Sequence, residues 1–200
     1  AHPQKDCKNE IAVVHNGIVE NYQELKDELI KKRHKFSSQT DTEIIPHLIE
    51  ENLKRENFVG AVRYAFSNLK GLNAIVAANA ATSQIVVAKN GSPLVLGIGN
   101  NEYFVSSDIV GIIEHTNKVI FLKDNEMAVL SQDIKLISLP KGDSLEIKPE
   151  IIDWKFEKST KGDFRDFMIK EIFEQPQIIR NIAGNFSDSV GGVLLNRSVI

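Results

Sequence analysis

An apolar run, Ile11-Ala12-Val13-Val14, stops at His15-Asn16-Gly17, and a helical pattern begins at once. Four apolar residues bounded by turn formers read as a buried strand. Asn16-Gly17 is a turn signal, because both residues tolerate positive φ. A strand that breaks into a helix leaves backbone N–H groups pointing outward at the positive end of the helix dipole. The carboxamide of Asn16 beside the N–H of Gly17 offers two donors that can aim at one point, as an oxyanion hole requires. Taken alone, the pair also fits a strand–helix turn or hairpin with no chemistry.

A second stretch, Thr40-Asp41-Thr42-Glu43, lies twenty-odd residues on. Thr40-x-x-Glu43 fits a capping box, in which hydroxyl and carboxylate satisfy orphan N–H groups of the next helix. Asp41 would then sit in the first turn, where an acid suits the dipole. Its carboxylate could equally face a partner outside the chain, such as the α-ammonium of an amino-acid substrate, and both roles can hold together.

Composition removes several classes. The 200 residues are 42% hydrophobic and 26% charged with a net charge of −3, ordinary values for a globular domain. Lys31-Lys32-Arg33 is the single basic cluster, placed at a helix end where cations suit the dipole, so nucleic acid is not an expected partner. One cysteine, Cys7, permits no internal disulfide and points to a reducing, cytoplasmic setting. No apolar run approaches the roughly 20 residues of a membrane span. The five histidines and Cys7 show no ligand spacing, so no metal and no cofactor are expected.

Along the chain, apolar residues at 18, 22, 25 and 29 predict a helix over 18–32, with Glu20, Glu24 and Glu28 on its wet face. Further helices are predicted over 42–53, with Pro46 near its first turn, and over 58–69. Short strand runs follow at 72–78, 84–88, 94–98, 102–106, 119–122, 127–130, 134–139 and 145–147. Asp108 is placed to cap a short helix over 109–114, and Lys123-Asp124-Asn125-Glu126 reads as the turn of a hairpin. Gly97-x-Gly99 lacks the third glycine of a dinucleotide fingerprint. Trp154 falls in a stretch that leaves the sheet. A last helix is predicted over 164–182, its apolar stripe facing a core and Pro176 bending or breaking it. Helices, then many antiparallel strands, then helices indicate an α+β fold.

Val14-His15-Asn16-Gly17-Ile18-Val19-Glu20-Asn21 and Phe36-Ser37-Ser38-Gln39-Thr40-Asp41-Thr42-Glu43-Ile44-Ile45 resemble the glutaminase domain of class II glutamine amidotransferases. Gly91-Ser92-Pro93-Leu94-Val95-Leu96-Gly97 with Ser106-Ser107-Asp108 narrows the match, as does Phe167 to Pro176 with its Lys-Glu-Ile-x-Glu-Gln-Pro ending. Together they resemble the glucosamine-6-phosphate synthase family (glutamine:fructose-6-phosphate aminotransferases, isomerising). Amidophosphoribosyltransferases share the first two motifs and not the ending. The matches run in order from Ala1 to about Ile179.

The resemblance implies a four-layer αββα sandwich of the N-terminal nucleophile hydrolase type, missing its first strands. It implies a glutaminase domain over 1–180 and, over 181–200, a linker towards an absent sugar isomerase domain, to which fructose 6-phosphate would bind. Glutamine is the implied substrate and the full enzyme a homo-oligomer. Asn16 and Gly17 would form the oxyanion hole, Asp41 would hold the substrate ammonium, and His2, more simply a solvated loop residue, could line the pocket. The family's nucleophile is a cysteine at the mature N-terminus, whose own α-amine can act as base. Cys7 lies after the match to the family's Ala-His-Pro segment and is read as a plain thiol. A substrate-binding arginine that the family carries upstream also has no counterpart. The competing expectation is therefore a catalytically inactive, glutaminase-like binding or docking module.

Overall fold

The computed structural model describes residues 2–152 and 164–195, and the chain divides into two compact units, Ala1–Trp154 and Lys155–Ile200. Ala1, Trp154 and residues 196–200 of the expected linker lie outside the described residues.

The first unit begins with β1 (Gln4–Lys5) and β2 (Ile11–Gly17), followed by α1 (Tyr22–Lys31), α2 (Ile44–Asn52) and α3 (Phe58–Ser67). Strands β3 (Asn73–Asn79), β4 (Gln84–Asn90), β5 (Val95–Ile98), β6 (Tyr103–Ser106), β7 (Lys118–Phe121), β8 (Glu126–Leu130), β9 (Lys135–Ser138), β10 (Ser144–Leu145) and β11 (Glu150–Ile151) follow. They form a seven-stranded sheet in the order β1-β2-β3-β4-β8-β9-β10 and a four-stranded sheet in the order β11-β7-β5-β6. Every pairing is antiparallel. This is the α+β class read from the order of elements.

Alternation along the strands sets the layers. In β4, Val86 and Ala88 pack with Leu29, Ile45, Val62 and Phe66 of the three helices. Val87, on the opposite face, packs with Leu96 and Ile120 of the small sheet. The large sheet thus lies between the helices and the small sheet. That explains why its central strands are apolar almost throughout, as doubly covered strands must be. β2 differs: Ile11, Val13 and His15 are buried on the helix side, while Val14 and Asn16 are exposed.

The predicted strands and helices appear with shifted ends, and four differences have physical causes. Helix α1 starts at Tyr22 and not at Ile18, because the chain after β2 stays bonded to the segment before β3: Ile18 N–H donates to Leu72 O (3.4 Å) and Glu20 N–H to Lys70 O (3.0 Å). The second helix is preceded by a 3-10 turn over Asp41–Glu43. The short helix after Asp108 is likewise a single 3-10 turn, Ile109–Gly111, with Asp108 accepting from Val110 N–H at 2.8 Å.

The hairpin expected around 123–126 does not form. β7 pairs with β5 in the small sheet and β8 with β4 in the large one, so the turn carries the chain from one sheet to the other. Asn125 takes a positive φ of 61° there, and its N–H donates to Lys89 O at 3.0 Å.

In the second unit, α4 (Phe167–Leu195) is a 29-residue helix that runs on through Pro176. It occupies much of the stretch read as a linker. Met168, Ile172, Phe173 and Ile179 of its apolar stripe are exposed, not in a core. No described helix is long and apolar enough to cross a membrane.

Candidate active site

The end of β2 is shaped by a buried polar relay. His15 is the third inward position of the strand, after Ile11 and Val13, and is 6% exposed. Its Nε2 lies 2.9 Å from Asn73 Oδ1 and its Nδ1 3.0 Å from Thr42 Oγ1. Asn73 Nδ2 donates to Gly71 O at 3.0 Å, which fixes the amide and leaves Oδ1 as an acceptor. Nε2 therefore carries the proton, and the Thr42 hydroxyl donates to Nδ1. Burial holds the His15 pKa below its usual value, opposed by the Asn73 hydrogen bond and the Asp41 charge, so the ring stays neutral.

Gly17 follows with φ +146°, and a Cβ there would lie 2.1 Å from Leu72 O. No other residue type fits without moving backbone. Ile18 faces β3, so by the alternation of an antiparallel ladder the N–H of Gly17 faces the other way. On that side β1 pairs only with Ala12 and Val13. Gly17 thus presents an N–H beyond the end of the neighbouring strand. The exposed side chain of Asn16 stands next to it.

Asp41 is tied to the chain just past β2: its Oδ2 accepts from Val19 N–H at 2.7 Å. Its Oδ1 has one longer contact, 3.4 Å from the Thr40 hydroxyl. Extending the β1–β2 register past Gln4↔Val13 sets exposed His2 alongside His15. Asn16, Gly17, Asp41 and His2 therefore gather at one end of β2.

The capping box differs from expectation. The Thr40 hydroxyl accepts from Thr42 N–H at 3.4 Å, while Glu43 turns away. Its carboxylate accepts from both backbone N–H groups and both hydroxyls of Ser37 and Ser38, at 2.6–2.8 Å. Burial raises the Glu43 pKa, but these four bonds outweigh it and the net shift is downward. The carboxylate anchors the loop that leads into the 3-10 turn bearing Asp41.

Three residues of this arrangement, His15, Thr42 and Asn73, escaped the sequence reading. A histidine in phase with Ile11 and Val13 was the available signal for the first. Asn73 and Thr42 become partners only through tertiary pairing.

Cys7 is far from this end. Asp6 N–H donates to Ile11 O, so Cys7 lies by the start of β2, six residues of strand or about 20 Å from Gly17. It is not a plain loop thiol: its Sγ lies 3.7 Å from His34 Nδ1 and 3.5 Å from His47 Nδ1, and burial pushes its pKa up. The absence of ligand spacing holds along the chain but fails in space. Cys7, His34, His47 and Glu50 each bring one ligand atom within 4.8 Å of the others.

Residues 2–114 match the family described as glutamine amidotransferase domain, more than half of the 200 residues; the chain belongs to that family. Among solved structures it is similar to glutamine phosphoribosylpyrophosphate amidotransferase from B. subtilis, with a TM-score of 0.55 and 25% identity over 64% of this chain and 29% of that one. Among curated proteins it is similar to the glutamine–fructose-6-phosphate aminotransferase (isomerizing) of Thermococcus kodakarensis, 49% identical over 92% of this chain and 31% of the relative. The enzyme of the same name from Methanothermobacter thermautotrophicus is 42% identical over 96% of this chain and 33% of the relative. The chain thus spans about a third of the length of these two relatives.

Proposed function

We propose that this chain is the glutaminase part of an amidotransferase that makes glucosamine 6-phosphate from glutamine and fructose 6-phosphate. The observation that carries the reading is the Asn16–Gly17 end of β2. It presents one outward backbone N–H beside one carboxamide, on a strand end locked by His15, Thr42 and Asn73. In this reading a thiolate attacks the side-chain amide carbon of glutamine. Asn16 Nδ2–H and Gly17 N–H hold the tetrahedral oxyanion, each worth roughly 3 kcal/mol of barrier. Collapse breaks the C–N bond as the nitrogen takes the proton that the cysteine's α-amine removed from the thiol, so ammonia leaves and the remaining thioester is hydrolysed by water. Asp41 keeps one oxygen on Val19 N–H and turns the other to the substrate ammonium. His2 lines the pocket.

Cys7 does not supply the thiolate, because it stands at the wrong end of β2. The nucleophile in this reading is an N-terminal cysteine outside residues 1–200. Residues 1–180 form the glutaminase domain, an αββα sandwich whose first strands lie upstream, and 181–200 lead towards an isomerase domain that takes fructose 6-phosphate. The competing reading is that of a glutaminase-like binding or docking module.

Glutamine hydrolysis by the 200-residue chain, beside the same chain extended upstream to the natural start of its gene, separates the two. We expect ammonia release from the extended form alone, and Asn16→Ala to lower its kcat by about 10²–10³-fold. If the extended form is inert, the oxyanion-hole assignment fails and the binding module stands.

A further inference from the structure

We propose that Cys7, His34, His47 and Glu50 form a tetrahedral site for one divalent transition-metal ion of the zinc type. The four ligands come from three segments: the loop before β2, the connection from α1 to α2, and α2 itself. Two of the four, His34 and His47, are buried, while Cys7 is exposed at the mouth of a cavity of about 390 Å³. An ion can therefore reach the site from solvent.

Five of the six distances between ligand atoms are close to those of a tetrahedron around a metal. Zinc–sulfur bonds of about 2.3 Å and zinc–nitrogen bonds of about 2.0–2.1 Å give edges of about 3.6 Å for sulfur–nitrogen and about 3.3 Å for nitrogen–nitrogen. The observed sulfur–nitrogen separations are 3.7 and 3.5 Å, and the two Nδ1 atoms are 3.3 Å apart. Glu50 Oε2 closes the figure at 3.0 Å from His34 Nδ1 and 3.4 Å from His47 Nδ1.

A metal cation resolves the contact that a neutral His34 leaves in conflict. His34 Nε2 lies 3.1 Å from Glu51 Oε2, and a carboxylate accepts, so Nε2 carries the proton. In a neutral ring Nδ1 is then bare, and its lone pair meets a carboxylate oxygen 3.0 Å away. A metal between them turns that conflict into two bonds. The surroundings suit a ligand set as well. Glu51 on His34 is the carboxylate–histidine pair that orients metal-binding imidazoles, and Lys32 and Lys54 hold Glu51 in turn. The Lys35 N–H donates to Cys7 Sγ at 3.5 Å, as suits a thiolate. Phe36 packs edge-on against His47 at 4.5 Å. One thiolate and one carboxylate neutralise a divalent ion, and the sulfur with two imidazoles selects against magnesium and calcium. Because α2 directly follows the 3-10 turn of Asp41 and Thr42, the ion would brace the helix behind the active site from its far end.

The test uses the whole 200-residue chain without an affinity tag. After dialysis, elemental analysis is expected to find one zinc per chain. Cobalt(II) in its place should give a sulfur-to-metal charge-transfer band and the intense visible bands of tetrahedral geometry. Zinc at a hundred-fold excess over its Kd should raise Tm by about 5–10 °C over the chelator-treated protein. Cys7→Ser should lose the charge-transfer band while its circular dichroism stays native. Glu51→Gln, which touches no ion, should keep the band and weaken metal binding by about 10–100-fold. The proposal is overturned if wild-type chain binds neither ion and chelator leaves Tm unchanged. It is equally overturned if folded Cys7→Ser retains the cobalt spectrum.

Discussion

Gly17→Ala tests whether the end of β2 is as tightly specified as its geometry implies. Glycine holds φ +146° there, a region that costs an alanine about 1–3 kcal/mol. The new Cβ would also stand 2.1 Å from Leu72 O, 3.0 Å from Asn73 Cα and 3.1 Å from His15 Nε2. Two of these are backbone atoms of the facing strand region, so no rotamer relieves the clash and the strands must part. Overpacking of this kind adds about 1–3 kcal/mol. The sum, about 4 kcal/mol, corresponds to a fall in Tm of about 8–16 °C for a chain of this size. Thermal unfolding followed by circular dichroism reads it directly. Gly60→Ala is the control. That glycine lies inside α3, and its Cβ would meet chiefly the Glu56 carboxylate end, 2.6 Å away on a side chain free to swing. Removing a helix-interior glycine is worth about 0.5–1 kcal/mol, so Tm should rise slightly. A Gly17→Ala protein that melts with the wild type would refute the claim that this strand end admits only glycine.

Three more predictions follow from individual hydrogen bonds. Thr42→Val keeps the shape but leaves His15 Nδ1 without its donor, and should destabilise by about 1–3 kcal/mol in urea titrations. Asn57→Ala removes the side chain that accepts from Gly60 N–H at 2.9 Å and should cost about 1 kcal/mol by the same measurement. The His15 pKa is depressed below 6.5, so the unfolded chain takes up the proton first as pH falls. Its contribution is complete above pH 6.5, declines as pH drops from there towards the depressed value, and then levels off. The urea midpoint at pH 7.5 and pH 5.5 should differ more in wild type than in His15→Gln, and equal differences would sink the assignment.

Much of the fold was legible locally. The inward rows of α1 to α3 follow helical spacing, and Leu25, Leu29, Ile45, Ile49, Val62 and Phe66 are buried where periodicity puts them. Turn chemistry also located most strand ends. What the sequence concealed depended on partners distant along the chain. Residues 18–20 have helical spacing, yet bonds to Leu72 and Lys70 keep them out of the helix. Residues 123–126 carry hairpin signals, and nothing local says that β7 and β8 join different sheets. The candidate site divides in the same way. Asn16-Gly17 and Asp41 stood out as motifs, whereas Thr42 and Asn73 acquire their meaning from His15. In the Cys7 cluster only His47 and Glu50, three apart on α2, were within reach of spacing arguments.

The sheet-switching turn bears on how quickly this chain can reach its native state. After β4 the chain leaves the large sheet at residue 91, builds β5, β6 and β7, and returns only at Glu126 to pair Val87 with Ala128. Closing a loop of about 35 residues costs about 3 kcal/mol of chain entropy before that ladder returns anything. The β3–β4 hairpin faces no such delay, since a short turn joins its strands, whereas the helical segment that separates β2 from β3 is longer still. The central seam of the large sheet should therefore be among the last contacts to form. Conservative truncations at Ala128 or Met127 should then accelerate unfolding while hardly slowing folding.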